Sequence, residues 1–198
     1  MHRLLLLLLA LGISSGMMAQ NVIYTSYAEY VAEKGEQVDG PIDVVPNMGR
    51  LVVTYVKDGS KKNVPTRKVW GFQNQGLLYR IEPEGKLPVR LMAQGAIFYW
   101  ENGLAHLRMQ RDSAEAATVE YGYASYLSRD LQSEIVPAHF IPDDTKSPSA
   151  KFKQAWPAFA ELLDRIGEGT DMDTVRQLVV EYAVAVEEGR LAGPEHAF

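Results

Sequence analysis

Residues 69–81 read VWGFQNQGLLYRI. Apolar residues alternate with small or polar ones on either side of Asn74-Gln75-Gly76, the pattern of two half-buried strands joined by a tight turn. A three-residue loop, with Gly76 in the left-handed conformation, sets Trp70 across from Arg80, Phe72 across from Leu78 and Gly71 across from Tyr79. A two-residue loop at Asn74-Gln75 instead sets Trp70 across from Tyr79 and Phe72 across from Leu77. In the first register Arg80 stacks on Trp70, a cation–π contact worth about 0.5–2 kcal/mol, and Tyr79 covers the bare backbone of Gly71. Either register produces a dense aromatic face, which serves as a ligand platform or as a core. Aromatic residues are the ordinary fillers of half-buried sheets. Trp70, Phe72, Phe98 and Trp100 all fall within two neighbouring hairpins, so inward packing is the favoured reading. A binding role would engage Trp70, Tyr79, Arg80, Tyr99 and His106.

Working outward, residues 50–109 keep a period of two. RLVVTYV ends at the turn dipeptide Asp58-Gly59, NVPTRKVWGF returns, LLYRIE follows, and LPVRLM is expected at an edge because of Pro88. AIFYWENGLAHLRM reads as a hairpin about a type I′ turn at Asn102-Gly103. That register places Trp100 opposite Ala105, Phe98 opposite Leu107 and His106 opposite Tyr99. TVEYGYASYL supplies one more strand beyond the polar break QRDSAEAA.

Toward the N-terminus, Ser26 and Glu29 form a capping box for a short helix ending near Gly35, with Tyr27, Tyr30 and Val31 on its docking side. Pro41 and Pro46 keep VDGPIDVVPNMG extended. Past the Pro- and Asp-rich connector PAHFIPDDTKSPS, KFKQAW forms a turn or two, and then the period becomes helical. Phe159, Leu162, Leu163 and Ile166 make one stripe; Val175, Leu178, Val179, Tyr182 and Val186 make a second, capped by Thr170 or Asp171. Residues 190–198 read as a flexible tail. The expected architecture is α+β: an antiparallel meander of about seven or eight strands in a curled sheet or partly open barrel, with one short N-terminal helix and two C-terminal helices. Residues 20–189 form a single domain.

The first twenty residues, MHRLLLLLLALGISSGMMAQ, have a basic start, an apolar run of about ten residues and a small-residue end, the order of a secretory leader. The run is shorter than the roughly 20 residues a bilayer-spanning helix needs. Cleavage is expected after Ala19, or alternatively after Gly16. The chain has no cysteine, so neither a disulfide nor a Cys-based zinc site is open to it. Its net charge is -5, and -6 once Arg3 leaves with the leader, which disfavours a nucleic-acid partner. The exception is the cluster Lys57, Lys61, Lys62, Arg67 and Lys68, read as a solvated hairpin rim.

Motifs for chemistry are sparse. His106, His139 and His196 are far apart and without zinc-ligand spacing. Ser125 and Ser128 lack a GxSxG elbow, and no phosphate-binding glycine loop occurs. Asp143-Asp144 and Asp171/Asp173 lack EF-hand spacing and read as turn and helix-cap residues. No cofactor or metal is expected. Paired carboxylates for glycoside hydrolysis stay open, because their separation is set in space.

The run Val69, Trp70, Gly71, Phe72 with Tyr79, Arg80, Ile81, the tyrosine-bearing segment behind a leader, and the paired C-terminal helices resemble a group of uncharacterised secreted proteins from Bacteroidetes-type bacteria. The resemblance spans about residues 25–190, and its distinctive pieces are WGF and YRI. It implies a location, the periplasm or cell surface of a Gram-negative bacterium, and no reaction. The function expected is a non-enzymatic envelope domain that binds an unknown envelope protein or a small ligand. The alternatives are a calyx-like carrier of an apolar ligand and a hydrolase with a dispersed site.

Overall fold

The structure, a computed structural model, describes residues 21–82, 87–102, 106–113, 116–122, 124–138, 148–167 and 169–192. The expected leader, the connector at 139–147 and the end of the tail lie outside the described residues. The strands are β1 (Asn21–Tyr24), β2 (Glu36–Asn47), β3 (Arg50–Lys57), β4 (Ser60–Pro65), β5 (Gly71–Asn74), β6 (Leu77–Ile81), β7 (Pro88–Ala93), β8 (Phe98–Glu101), β9 (His106–Ser113), β10 (Ala116–Gly122), β11 (Ser125–Ser128) and β12 (Val136–Pro137). The helices are α1 (Tyr27–Val31), α2 (Pro148–Ala155), α3 (Ala160–Arg165) and α4 (Met172–Glu187), with 3₁₀ turns at Thr66–Lys68 and Pro157–Phe159. Ten strands make one open antiparallel sheet in the order β12-β11-β8-β7-β6-β5-β1-β2-β3-β4, and β9 and β10 pair only as a separate ribbon. The α+β class stands. The sheet has more strands than the seven or eight expected.

The central hairpin takes neither expected register. Gly71 pairs with Arg80, Phe72 with Tyr79, Gln73 with Leu78 and Asn74 with Leu77. The loop is Gln75-Gly76, with φ of 53° and 80°, so both residues are left-handed and the turn is type I′. Gly71 is required here: a Cβ would sit 2.5 Å from the Tyr79 carbonyl oxygen. Tyr79 therefore stacks on Phe72 rather than covering Gly71, with ring centroids 5.0 Å apart and planes 9° from parallel.

Two further expectations fail for a common reason, non-local pairing. The expected turn at Asn102-Gly103 reaches outside the described residues, and among the described strands β8 is not paired with β9. Instead β8 pairs with β11, placing Trp100 opposite Tyr126 and Tyr99 opposite Leu127. His106 lies opposite Gly122 in the ribbon, not opposite Tyr99. Nor is the arrangement a simple meander, because β1 lies between β5 and β2. Strand β7 is internal, flanked by β6 and β8. Pro88 is tolerated there as the first residue of the strand.

The core has three parts. Ile23, Ile42, Val53, Tyr55, Val69, Phe72 and Ile81 form one cluster along the run of neighbouring strands from β6 to β3. Asn74 pins the irregular part of β2: its side-chain amide donates to the Ile42 carbonyl at 3.2 Å and its oxygen accepts from the Ile42 N–H at 3.4 Å. On one face of β8, Tyr99 joins Leu127, Val136 and the helical stripe Phe159, Leu162, Leu163, Ile166, Val175, Leu178, Val179 and Tyr182. The stripe matches expectation, except that Ala185 is buried where Val186 was expected to be, and Val186 is only partly so. On the other face Trp100 and Val89 pack with Leu78, Tyr126 and Ile135. In α1 the Ser26 cap forms, its Oγ accepting from the Glu29 N–H, but the Glu29 carboxylate accepts from the Thr25 N–H rather than from that of Ser26, so the box is not reciprocal. Val31 points outward, 62% exposed, contrary to expectation.

Candidate functional site

Along β6, Leu78 and Arg80 lie on one face and Tyr79 and Ile81 on the other. Arg80 is carried under the sheet surface, 5% exposed. Its guanidinium carbon stands 5.2 Å from the centroid of Trp70 and 5.7 Å from that of Trp100. The expected contact with Trp70 is thus present, from a diagonal position. Nη1 donates to the Ser133 carbonyl at 2.8 Å. The loop supplying that carbonyl is organised by Asp130, whose Oδ1 accepts from the N–H groups of Gln132 and Ser133 at 2.8 and 2.6 Å. Ser128 closes the circuit, accepting from Trp100 Nε1 and donating to the Asp130 carbonyl, each at 2.8 Å. Burial lowers the Arg80 pKa to about 10, partly offset by the charge of Asp130. Burial opposes the Asp130 charge, but the hydrogen bonds from Ser133 and Gln132 outweigh it and hold this carboxyl below its usual range.

Trp70 is half-buried, and its outer side is occupied by the tyrosines of this same chain. Ring centroids of Tyr27 and Tyr30 lie 5.5 and 5.2 Å from it, and that of Tyr24 lies 6.5 Å away. Helix α1 carries Tyr27 and Tyr30 and buries no residue completely, while Tyr24 comes from the end of β1.

A second polar centre lies on the opposite face. Tyr99 Oη donates to Glu101 Oε1 at 2.9 Å. Arg176, from α4, donates through Nε to Oε1 at 2.6 Å and through Nη2 to Oε2 at 2.8 Å, a two-pronged grip. Its Nη1 reaches Asp173 at 2.7 Å. Burial of Glu101 works against its charge, yet the bonds from Arg176 and Tyr99 win and its pKa is lowered. Burial, reinforced by Glu101, raises the Tyr99 phenol. Glu101 and Arg176 were not singled out from the sequence, and Asp173 was read only as a turn or helix-cap residue. The available signal was a carboxylate inside an aromatic strand, which demands a cationic partner.

The five sequence candidates therefore fall in separate places. Trp70 and Arg80 meet on one face. Tyr79 and Tyr99 lie on the other, one against the Phe72 cluster and one under α4. His106 opens the ribbon. Among the described residues no group of three or more His, Asp or Glu is placed to hold a metal ion. Asp171 caps α4, accepting from Thr174 N–H at 3.0 Å. No protein-family model, no curated protein and no solved structure matches this chain.

A surface groove of about 440 Å³ runs between α3, α4 and the chain that follows, lined by Leu162, Val184 and Leu191 and edged by Arg165 and Glu181. Arg165 Nη2 and Glu181 Oε2 are paired across it at 2.6 Å. Its lining comes wholly from residues 161–191, on the helical layer and not on the sheet.

Proposed function

We propose that this chain is an exported, non-enzymatic interaction domain of a Gram-negative cell envelope, with the ribbon β9–β10 as its binding arm. The observation that carries the reading is the neck of that ribbon. Strands β8 and β11 are direct neighbours, and Asn102 and Ala124 close the gap between them: Asn102 N–H donates to the Ala124 carbonyl at 3.1 Å and Ala124 N–H donates to Asn102 Oδ1 at 2.9 Å. Among the described residues, the ten-stranded sheet includes neither β9 nor β10. A two-stranded hairpin alone is marginally stable in water, so chain spent on one outside the sheet favours a use outside the scaffold.

The ribbon register strengthens this. Leu107 pairs with Tyr121 and Met109 with Val119, while Arg108 pairs with Glu120 and Gln110 with Thr118. Apolar and polar residues alternate in sequence from Leu107 to Gln110 and from Thr118 to Tyr121, and the register sets apolar opposite apolar and polar opposite polar over these positions. The rest of the molecule reads as filled scaffold. Trp100, Val89 and Leu127 are each 0% exposed, which supports an interaction domain over a calyx-like carrier. Export is supported by the basic-then-apolar order of residues 3–13. No described helix is long and apolar enough to cross a membrane.

A photo-crosslinking side chain placed at 107, 109 or 119 in the producing cells tests the proposal. A discrete adduct from these positions, with none from position 61 on β4, is the expected result. Adducts of equal yield from position 61, or none from the ribbon, would overturn it.

A further inference from the structure

Three two-residue turns in this fold share one geometry. Met48-Gly49, Asp58-Gly59 and Gln75-Gly76 each link directly paired strand ends, and in each both residues have positive φ, 47° and 75°, 50° and 70°, and 53° and 80°. Asp is among the few residues other than Gly that visit the left-handed region routinely, and Gln is at least at ease in water. Met48 has neither advantage. It is unbranched and apolar, and it is 99% exposed at the tip of the β2–β3 hairpin. Backbone strain combined with an exposed apolar side chain is retained where the tip has something to enter.

The charges around the tip say what that is. Thr66 Oγ1 donates to the Leu51 carbonyl at 3.3 Å, tying the 3₁₀ turn Thr66–Lys68 to the start of β3. Arg67 and Lys68 therefore lie at the same end of the sheet as Arg50 and Met48, and all three cations are exposed. Neither segment forming this end, 44–53 or 63–70, contains an acidic residue, although the chain as a whole carries -5. The basic cluster seen in the sequence is thus divided by the fold. Lys57, Lys61 and Lys62 sit at the Asp58-Gly59 end, where Lys57 is paired with Glu36 at 2.5 Å. Arg67 and Lys68 join Arg50 at the other.

We infer that this tip docks on an anionic phospholipid surface, with Met48 entering the boundary between headgroups and acyl chains while Arg50, Arg67 and Lys68 bind lipid phosphates. A convex tip with one prominent apolar side chain offers far less than the roughly 800 Å² per partner of a stable protein interface. It suits a fluid surface that closes around it, with charge supplying the rest of the attraction. The tip joins β2 and β3 near one end of the strand order, whereas β8 and β11, which flank the ribbon in sequence, lie near the other, and neither reading depends on the other.

The test is flotation of the purified protein with vesicles of phosphatidylglycerol and phosphatidylethanolamine, against phosphatidylcholine vesicles. Binding only to the anionic vesicles, weakened by salt, is expected. Met48→Asn, which suits the turn better and so preserves the fold, should weaken binding about tenfold, in line with withdrawing one apolar side chain. Arg67→Gln with Lys68→Gln should weaken it about 25-fold, at roughly fivefold per cation near an anionic surface. Failure of the parent protein to float with anionic vesicles, or a Met48→Asn variant that floats equally well, overturns the inference. So does a self-association lost on Met48→Asn without any vesicle binding, which would make a second copy the occupant.

Discussion

Replacing Trp100 with Ala is expected to lower the unfolding free energy by about 3–5 kcal/mol, the range for emptying a buried aromatic site. A domain of this kind has a total of roughly 5–15 kcal/mol, so the variant should be marginal. Trp100 is 0% exposed and packs with Val89, Leu78, Tyr126 and Ile135. Its loss also removes one of the two rings flanking Arg80, which is 5% exposed and has already been dehydrated. The indole N–H holds Ser128, and Ser128 holds the Asp130 loop that bonds Arg80. Trp100→Phe separates packing from hydrogen bonding: it should cost only about 1–2 kcal/mol, since a ring remains and one net hydrogen bond is lost. Urea unfolding monitored by far-UV circular dichroism measures both. An Ala variant within 1 kcal/mol of the parent would mean that the ring is not filling.

The second large effect is at Arg176. Arg176→Met leaves Glu101, whose side chain is 7% exposed, with the Tyr99 hydroxyl as its remaining partner in this centre. Breaking a buried pair costs about 3–5 kcal/mol. Arg176 itself is 45% exposed, so solvent screening reduces this to about 2 kcal/mol at neutral pH. The pH dependence carries the distinctive sign. In the parent the folded Glu101 pKa is depressed. Its contribution is therefore present above the unfolded value of about 4.3 and is lost as pH falls through the lower folded value. Without Arg176, burial is opposed only by the Tyr99 hydrogen bond and the Arg90 charge, so the Glu101 pKa rises from its value in the parent. The variant then gains stability relative to the parent as pH falls from 7 toward 4. Unfolding midpoints at the two pH values should converge, and a penalty that stays constant would contradict the lock.

Several local features were legible, although the register of the central hairpin and the outward side of Val31 were not. The stripe Phe159, Leu162, Leu163, Ile166 follows from helical period, Ser26 with Glu29 from cap chemistry, and Asp58-Gly59 from turn chemistry. The Arg80 contact with Trp70 was also visible, although its register was not. Asn74 looks like a loop residue but ends β5, because Gln75 accepts a left-handed conformation beside Gly76. Long-range partners stayed hidden. Asn102-Gly103 carries the signal of a tight hairpin, yet local signal cannot reveal that β8 gains more by lying against β11, where Trp100 meets Tyr126. Nor does Glu101 announce that its cation lies 75 residues away. Such pairs are chosen by the packing of the whole sheet, which short-range propensity does not encode.

The central claim is that the scaffold is complete and self-filled without the ribbon. Replacing residues 103–123 with a two-residue Asn-Gly turn joining Asn102 to Ala124 tests it most directly, by equilibrium urea unfolding. A single cooperative transition within about 1 kcal/mol of the parent, with a slope reduced only in proportion to the chain removed, is the result predicted. A broad, non-cooperative transition, or a loss of several kcal/mol, would show that the ribbon is part of the core and contradict the account.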